Sequence, residues 1–339
     1  MTHAHLTETT AASKLEDIVS GYQKTQALYV MAKLGIADAL ARGPQDAAAL
    51  ASAAGADAGA LYRLLRALEY LEVVHEPTPG VFALTSLGER LRPEAPEALH
   101  DLILMTGDVF WSWWARLDHS VRTGESSVPA IEGMSAFEFL HGHPDQVRRF
   151  NRLMSAMVGT MAKGVVDVYD FGAFDTVVDI GGGRGTLLSA IIEAHPRPRA
   201  VLFDLPATAE EAKASIAALG LADRCECVGG DFFAAVPAGD CLILSAVLSD
   251  WNDEKSVTIL ERCRRAVAAD GRLLVIERLL EPEKPAPASA FLDLQMLVIG
   301  GGTGRSAQEY RQLFAAAGFE LARVIPTGTA RSIFEGRPA

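Results

Sequence analysis

The chain is poor in cysteine, holds no long apolar run and shows no clustering of positive charge. Each shortage removes a class of function. Apolar stretches such as 176–180 and 241–248 fall far short of the roughly 18 to 20 uncharged residues that a membrane span requires. A soluble protein without a membrane partner is expected. Residues 1–13 are polar and lack a basic region followed by an apolar core; they form no secretory signal, so the cytoplasm is the expected location. The four cysteines, Cys225, Cys227, Cys241 and Cys263, do not form the paired C-x-x-C or Cys/His spacings of a zinc site, so reduced thiols and no metal are expected. The chain carries 31 Lys and Arg against 43 Asp and Glu, a formal net charge of −12. Nucleic acid binding needs clustered cations and is disfavoured.

What is present is length and apolar content. The 339 residues are 49% hydrophobic, enough for two domains of about 100 to 200 residues each. In residues 57–71, Leu61, Leu64, Leu65, Leu68 and Leu71 recur at three- and four-residue spacing and predict one buried helix face. Residues 73–85 read as a hairpin turning at Pro77, Thr78, Pro79 and Gly80. Helices followed by a small hairpin suggest a winged-helix module, a type that often binds DNA. Here residues 1–100 carry 8 Lys/Arg against 12 Asp/Glu, and the candidate recognition helix offers only Arg63 and Arg66 as cations. A DNA-binding regulator is therefore set aside.

Residues 100–165 read as helical, with Trp111, Trp113 and Trp114 placed either in the core or against a ligand cavity. From Thr176 onward, short apolar runs at 176–180, 199–203, 225–228, 240–246 and 272–277 alternate with helical stretches such as 186–194 and 256–268. That alternation predicts a mostly parallel sheet flanked by helices, with ligands at the carboxyl ends of the strands. Residues 281–288 are Pro-rich and read as an exposed loop.

The first of these strands runs from Asp179 and Ile180 into Gly181, Gly182, Gly183, Arg184, Gly185 and Thr186. Glycines at such a turn let backbone approach a ligand, and the helix start presents free N–H groups. A dinucleotide fingerprint would place Gly or Ala at position 186; Thr186 makes NAD the poorer fit. Asp204 ends the next strand, where a carboxylate can accept from both ribose hydroxyls. Asp231 follows the third, beside Phe232, positioned for an adenine edge and face. Asp179, the glycines, Asp204 and Asp231 suit adenosine joined to an amino acid better than a pyrophosphate.

In this order the motifs resemble the S-adenosylmethionine-dependent methyltransferases of the caffeic acid and hydroxyindole O-methyltransferase type, especially bacterial natural-product members. The likeness runs from about Leu15 to the C-terminus. It includes Lys33-Leu34-Gly35, Phe150-Asn151-Arg152-Leu153-Met154, Asp204-Leu205-Pro206, Gly229-Gly230-Asp231-Phe232, Asp250-Trp251-Asn252-Asp253-Glu254 and Gly301-Gly302. The resemblance implies an α/β, Rossmann-like class I methyltransferase domain at 166–339, an N-terminal helical winged-helix dimerisation domain at 1–100, and a helical linker at 101–165 that contributes to the substrate pocket. It implies a homodimer built through the N-terminal domain. It also implies that Asp204, Asp231 and Phe232 hold the adenosine, that Gly181 and Gly183 face the methionine part and that Trp251 flanks the adenine, with Asp179, Leu205, Gly230 and Ser245 on the same cofactor surface. Phe150, Met154 and Met296 match positions around the acceptor, with Met105 and Phe110 on the same wall.

The chain departs from the family at the chemistry. Plant members place a histidine general base before the Asp-Trp pair; here that residue is Ser249, a lysine on the preceding strand is Ser245, and one of two histidine-orienting acids falls at Gly304 while the other matches Glu277. A serine hydroxyl is not basic near pH 7. A neutral ring nitrogen or an already ionised hydroxyl needs no base, a situation that resembles the phenazine N-methyltransferase members. Glu277, Asp250, His119 and His141 remain as substitutes. The expected activity is methyl transfer from S-adenosylmethionine to oxygen or nitrogen of an aromatic or heteroaromatic small molecule in secondary metabolism, driven mainly by proximity, which supplies on the order of 7 to 11 kcal/mol in favourable cases. The alternative is a family member that uses the cofactor without methylating, for hydroxylation, decarboxylation or pericyclic chemistry.

Overall fold

The computed structural model describes residues 11–95, 99–280 and 287–339, without the side chains of residues 11, 141, 157, 160, 287 and 288. The polar N-terminal decapeptide, most of the Pro-rich stretch at 281–288 and the side chain of His141 lie outside the described residues. The chain divides into two compact units, Met1–Ser112 and Trp113–Ala339. Among the described residues no helix is long and apolar enough to cross a membrane.

The first unit carries the expected helices and hairpin. Ala58–Tyr70 starts where the Asp57 side chain accepts from the Ala60 N–H at 2.8 Å, a capping arrangement that satisfies an otherwise orphaned donor. Leu61, Leu65 and Leu68 are buried, while Leu64 and Leu71 sit at the margin of that face, half-exposed. Val74–Thr78 and Val81–Leu84 pair antiparallel, and Gln45–Asp46 adds a third short strand against Val81–Leu84.

The second unit is a seven-stranded sheet between helical layers. Its strands are β1 Thr176–Ile180, β2 Arg199–Asp204, β3 Cys225–Gly229, β4 Gly239–Ser245, β5 Val267–Glu277, β6 Phe319–Pro326 and β7 Ser332–Pro338. The spatial order is β3-β2-β1-β4-β5-β7-β6, with β7 antiparallel to both neighbours and the other pairings parallel. Chain order reverses between β1 and β4, so the crevice beyond their carboxyl ends is the place for a ligand. Val177 and Val178 on successive positions of β1 are both fully buried, one in each apolar layer. This explains why β1 reads as a continuous apolar run rather than an alternating one.

Several boundaries differ from the sequence expectation, among them the start of the strand expected at 272, which begins at Val267, and three of them have a local reason. The helix expected at 256–268 is Asp253–Ala266, because Asn252 accepts from the Lys255 N–H at 3.0 Å and starts it earlier. It ends earlier because Val267 already belongs to β5. The strand expected to reach Ala246 stops at Ser245, since Ala246 turns the chain with φ of +56°. All four cysteines are free, and all but half-buried Cys227 are buried.

Candidate active site

Beyond the carboxyl ends of β1, β2 and β4 lies a cavity of about 420 Å³. The glycine turn after β1 forms its floor. Gly181 has φ of +73°, and an added Cβ would stand 2.8 Å from Val247 Cγ2. Gly183 has φ of +57° with nothing within 4 Å of its would-be Cβ, so its backbone meets the cavity unobstructed. Gly230 is held by packing instead, for a Cβ there would come within 2.5 Å of the Phe203 ring. Ala246, a non-glycine residue with φ of +56°, lies on the same surface. Such a conformation costs of order 1 kcal/mol or more and is typical of functional turns.

All ten residues matched to the cofactor line this one cavity: Asp179, Gly181, Gly183, Asp204, Leu205, Gly230, Asp231, Phe232, Ser245 and Trp251. The acids do different work. Asp204 accepts from the Gly183 N–H at 2.8 Å and the Leu205 N–H at 2.7 Å, so it fixes the glycine turn from below. Asp231 accepts from the Phe233 N–H at 2.8 Å. Asp179 is almost wholly buried, and burial, then the charge of Asp204, pushes its carboxyl up to about 7. Asp179 Oδ1 and Ser245 Oγ are buried without a hydrogen-bond partner among the described residues, two polar atoms that await a ligand. Phe232 and Trp251 meet edge-on with centroids 6.1 Å apart, making an aromatic corner.

Among the described residues the lining holds Asp179, Asp204, Asp231 and Asp250 against a single Lys or Arg, the exposed Arg184. This acceptor-rich, negatively charged set suits a cationic sulfonium and an amino group and rejects a pyrophosphate. With the unpartnered acceptors and the open backbone at Gly183, the residues present fit S-adenosylmethionine.

The remaining lining comes from helices Ala136–Gly142 and Pro144–Val168. Phe150 and Met154 are there, joined by Val147, Asn151 and Val158 on one face of the long helix, and by Phe137, which stacks near Trp251 at 6.2 Å. Met296 lies on the helix Pro287–Gly300, half-buried and outside the lining. Met105 and Phe110 belong to the first unit, where Met105 is fully buried. Trp113 is also core: it is buried, donates to Glu132 at 3.1 Å and meets Phe139 edge-on. His119 is half-buried on Leu117–Thr123, away from the lining.

Among the three candidate catalytic groups, only Asp250 lines the cavity. Ser249 and Glu277 are outside its lining and hydrogen-bonded to each other. The Ser249 N–H donates to Glu277 Oε1 at 3.2 Å, and Arg331 Nη1 lies 3.5 Å from Oε2. Burial raises the Glu277 pKa, opposed first by Arg331 and then by the hydrogen bonds from Ser249. Arg305 is a residue that sequence reasoning passed over. Its buried guanidinium donates to the carbonyls of Leu248 at 2.8 Å and Trp251 at 2.7 Å and to Asp253 at 2.9 Å, clamping the segment that bears Ser249 and Asp250. Gly302 presses on the same segment, for a Cβ there would fall 2.1 Å from the Ser249 carbonyl oxygen.

Comparison with known proteins identifies the family. The O-methyltransferase domain family matches residues 114–320 and the O-methyltransferase dimerisation domain family residues 16–93. The chain is 45% identical to the phenazine O-methyltransferase PhzM of Lysobacter antibioticus, covering 96% of each chain. It is 31% identical to the phenazine-1-carboxylate N-methyltransferase of Pseudomonas aeruginosa over 93% of this chain and 94% of that one. It superposes with a TM-score of 0.84 on NcsB1, an O-methyltransferase from neocarzinostatin biosynthesis solved with S-adenosylmethionine and 2-hydroxy-5-methyl naphthoic acid. That pair is 37% identical, covering 93% of this chain and 96% of that one.

Two substitutions test the site. Asp204→Ala removes charge-assisted hydrogen bonds of about 1.5 to 3 kcal/mol. Calorimetry should show S-adenosylmethionine binding one to two orders of magnitude more weakly; an unchanged Kd contradicts the assignment. Asp179 has a folded pKa near 7 against an ordinary carboxylate value near 4 when unfolded. The folded protein therefore holds the proton more tightly, and its stability falls as pH rises from about 4 through about 7. Denaturant titrations at pH 5 and pH 8 should show a smaller loss for Asp179→Asn than for the parent, and equal losses would refute the placement.

Proposed function

The chain belongs to the O-methyltransferase family, and from that premise we propose that it methylates oxygen or nitrogen of a planar aromatic or heteroaromatic natural-product intermediate. S-Adenosylmethionine supplies an electrophilic methyl group on a positively charged sulfur. The observation that carries the reading is the meeting, in one cavity, of a carboxylate-rich glycine turn with the apolar face of Phe137, Phe150 and Met154. We assign Asp204 to the ribose, Asp231 and Phe232 to the adenine with Trp251 at its flank, and Asp179, Gly181, Gly183 and Ser245 to the methionine part. Leu205 and Gly230 complete the adenosine surface. Phe150 and Met154 grip the acceptor ring. Met296, on the helix Pro287–Gly300, is assigned to the outer acceptor wall.

Holding acceptor and methyl in line and excluding water supplies most of the rate. Ser249 and Glu277 act by positioning: the pair ties the Ser249–Asp250 turn to the end of β5. The dimerisation-domain match and the exposed Leu15, Ile18, Val19 and Tyr22 on the first two helices support a homodimer formed through the first unit. A cytoplasmic location suits four free thiols.

The relatives support a heteroaromatic acceptor, so the test uses a hydroxyphenazine, phenazine-1-carboxylate and a dihydroxynaphthoate with trideuteromethyl-labelled cofactor. Mass spectrometry should find the label in at least one product, with S-adenosylhomocysteine formed in equal amount. Cofactor turnover without a labelled product contradicts methyl transfer, and cofactor binding without any turnover contradicts this acceptor class.

A further inference from the structure

Four carboxyl groups line the cavity, and they are not equivalent. Asp204 and Asp231 are committed to backbone N–H groups of their own turns, and Asp179 lies beneath the glycine turn. Asp250 lies on the cavity surface from the turn after β4, and among the described residues its carboxyl makes no hydrogen bond or ion pair. Its backbone is held hard, by Arg305 on the flanking carbonyls of Leu248 and Trp251 and by Gly302 against the Ser249 carbonyl. The anchored, unpartnered carboxyl sits one residue beyond Ser249, the position that is histidine in the plant enzymes.

From this geometry we propose that Asp250 is the group that takes the acceptor's proton, and that the acceptor atom is therefore a hydroxyl oxygen rather than an unprotonated ring nitrogen. The inference rests on the methyltransferase reading above. Glu277 does not serve, because it is outside the cavity lining and its oxygens are engaged by Ser249 and Arg331. It acts on Asp250 through charge. Burial and then the neighbouring Glu277 push the Asp250 carboxyl up to about 7, opposed by Arg331. These are the charged groups that face it: Glu277 from the end of β5 and Arg331 from the turn before β7. Arg305, ahead of the last helix, acts at one remove by lowering the pKa of Glu277.

The step balances. A lone pair of the acceptor oxygen forms the new C–O bond as the C–S bond breaks, and that bonding pair stays on sulfur. The hydroxyl proton passes to an Asp250 oxygen. Sulfonium, neutral hydroxyl and carboxylate become thioether, ether and carboxylic acid, with no net change of charge. A base with a pKa near the operating pH adds typically 10²- to 10⁴-fold.

The test compares the parent, Asp250→Asn and Glu277→Gln with a hydroxyphenazine as probe and phenazine-1-carboxylate as the ring-nitrogen control. The parent's kcat should rise with pH through about 7. Asp250→Asn should lower kcat on the hydroxyphenazine about 10²- to 10⁴-fold and erase that limb, while KM and S-adenosylhomocysteine affinity stay within a few-fold. Glu277→Gln removes the neighbouring negative charge and should move the limb to lower pH. An unaltered limb in Asp250→Asn, or methylation of phenazine-1-carboxylate alone, overturns the proposal.

A second readout does not depend on turnover. In pH-difference infrared spectra of the S-adenosylhomocysteine complex, Asp250→Asn should delete a carboxyl band titrating near neutrality. If neither probe is methylated, the acceptor class fails while that deletion upholds Asp250 as the proton-accepting group. Unchanged bands overturn it.

Discussion

Negative charge held out of water at the carboxyl ends of a parallel sheet is the constraint from which the rest of this site follows. A carboxylate in such a place costs several kcal/mol unless it is hydrogen-bonded, protonated or met by a cation. The protein uses the first two: half-buried Asp204 receives backbone N–H groups, while Asp179 and Asp250 are pushed up to about 7. A ligand with a positively charged sulfur and an amino group supplies the third. Hence the glycines, which let that ligand come within reach of the backbone, and hence the scarcity of basic residues in the lining. The same low dielectric that penalises Asp250 as an anion makes it a proton acceptor at neutral pH.

That the residues assigned to the cofactor gather in one cavity was legible in the sequence, because most of them sit at a strand end or in a glycine turn, where local chemistry betrays position. Asp179, Asp204 and Asp231 close three neighbouring parallel strands or the turns just beyond them, and parallel register brings them together without further information. The strands were readable because β1 and its neighbours are buried on both faces and are mostly apolar rather than alternating, Asp179 apart. The boundaries that shifted did so where a side chain overrides propensity, as at Asn252, or where strain intervenes, as at Ala246.

The acceptor half was less legible. Phe150 and Met154 came from the resemblance, but Val147, Asn151 and Val158 share their helix face at three- and four-residue spacing, a signal the sequence did carry. Phe137 reaches the cavity from a separate short helix and left no such trace. Arg305 and Gly302 act through contacts with a segment some fifty residues earlier in the chain. No local pattern distinguishes a buried clamping arginine from a solvated one. The sequence showed that the histidine was gone; only the structure shows that Glu277 is engaged by Ser249 and Arg331 outside the cavity lining and that Asp250 is part of it.

The central claim is geometric, that the cofactor's methyl, the acceptor oxygen and the Asp250 carboxyl converge in one cavity. A crystal structure of the homodimer with S-adenosylhomocysteine and a bound hydroxyphenazine measures this directly. The account predicts the acceptor oxygen within hydrogen-bond reach of an Asp250 oxygen, about 2.6 to 3.2 Å, on the side facing the thioether sulfur. An acceptor oxygen directed at any other titratable group, with Asp250 turned away, would contradict it.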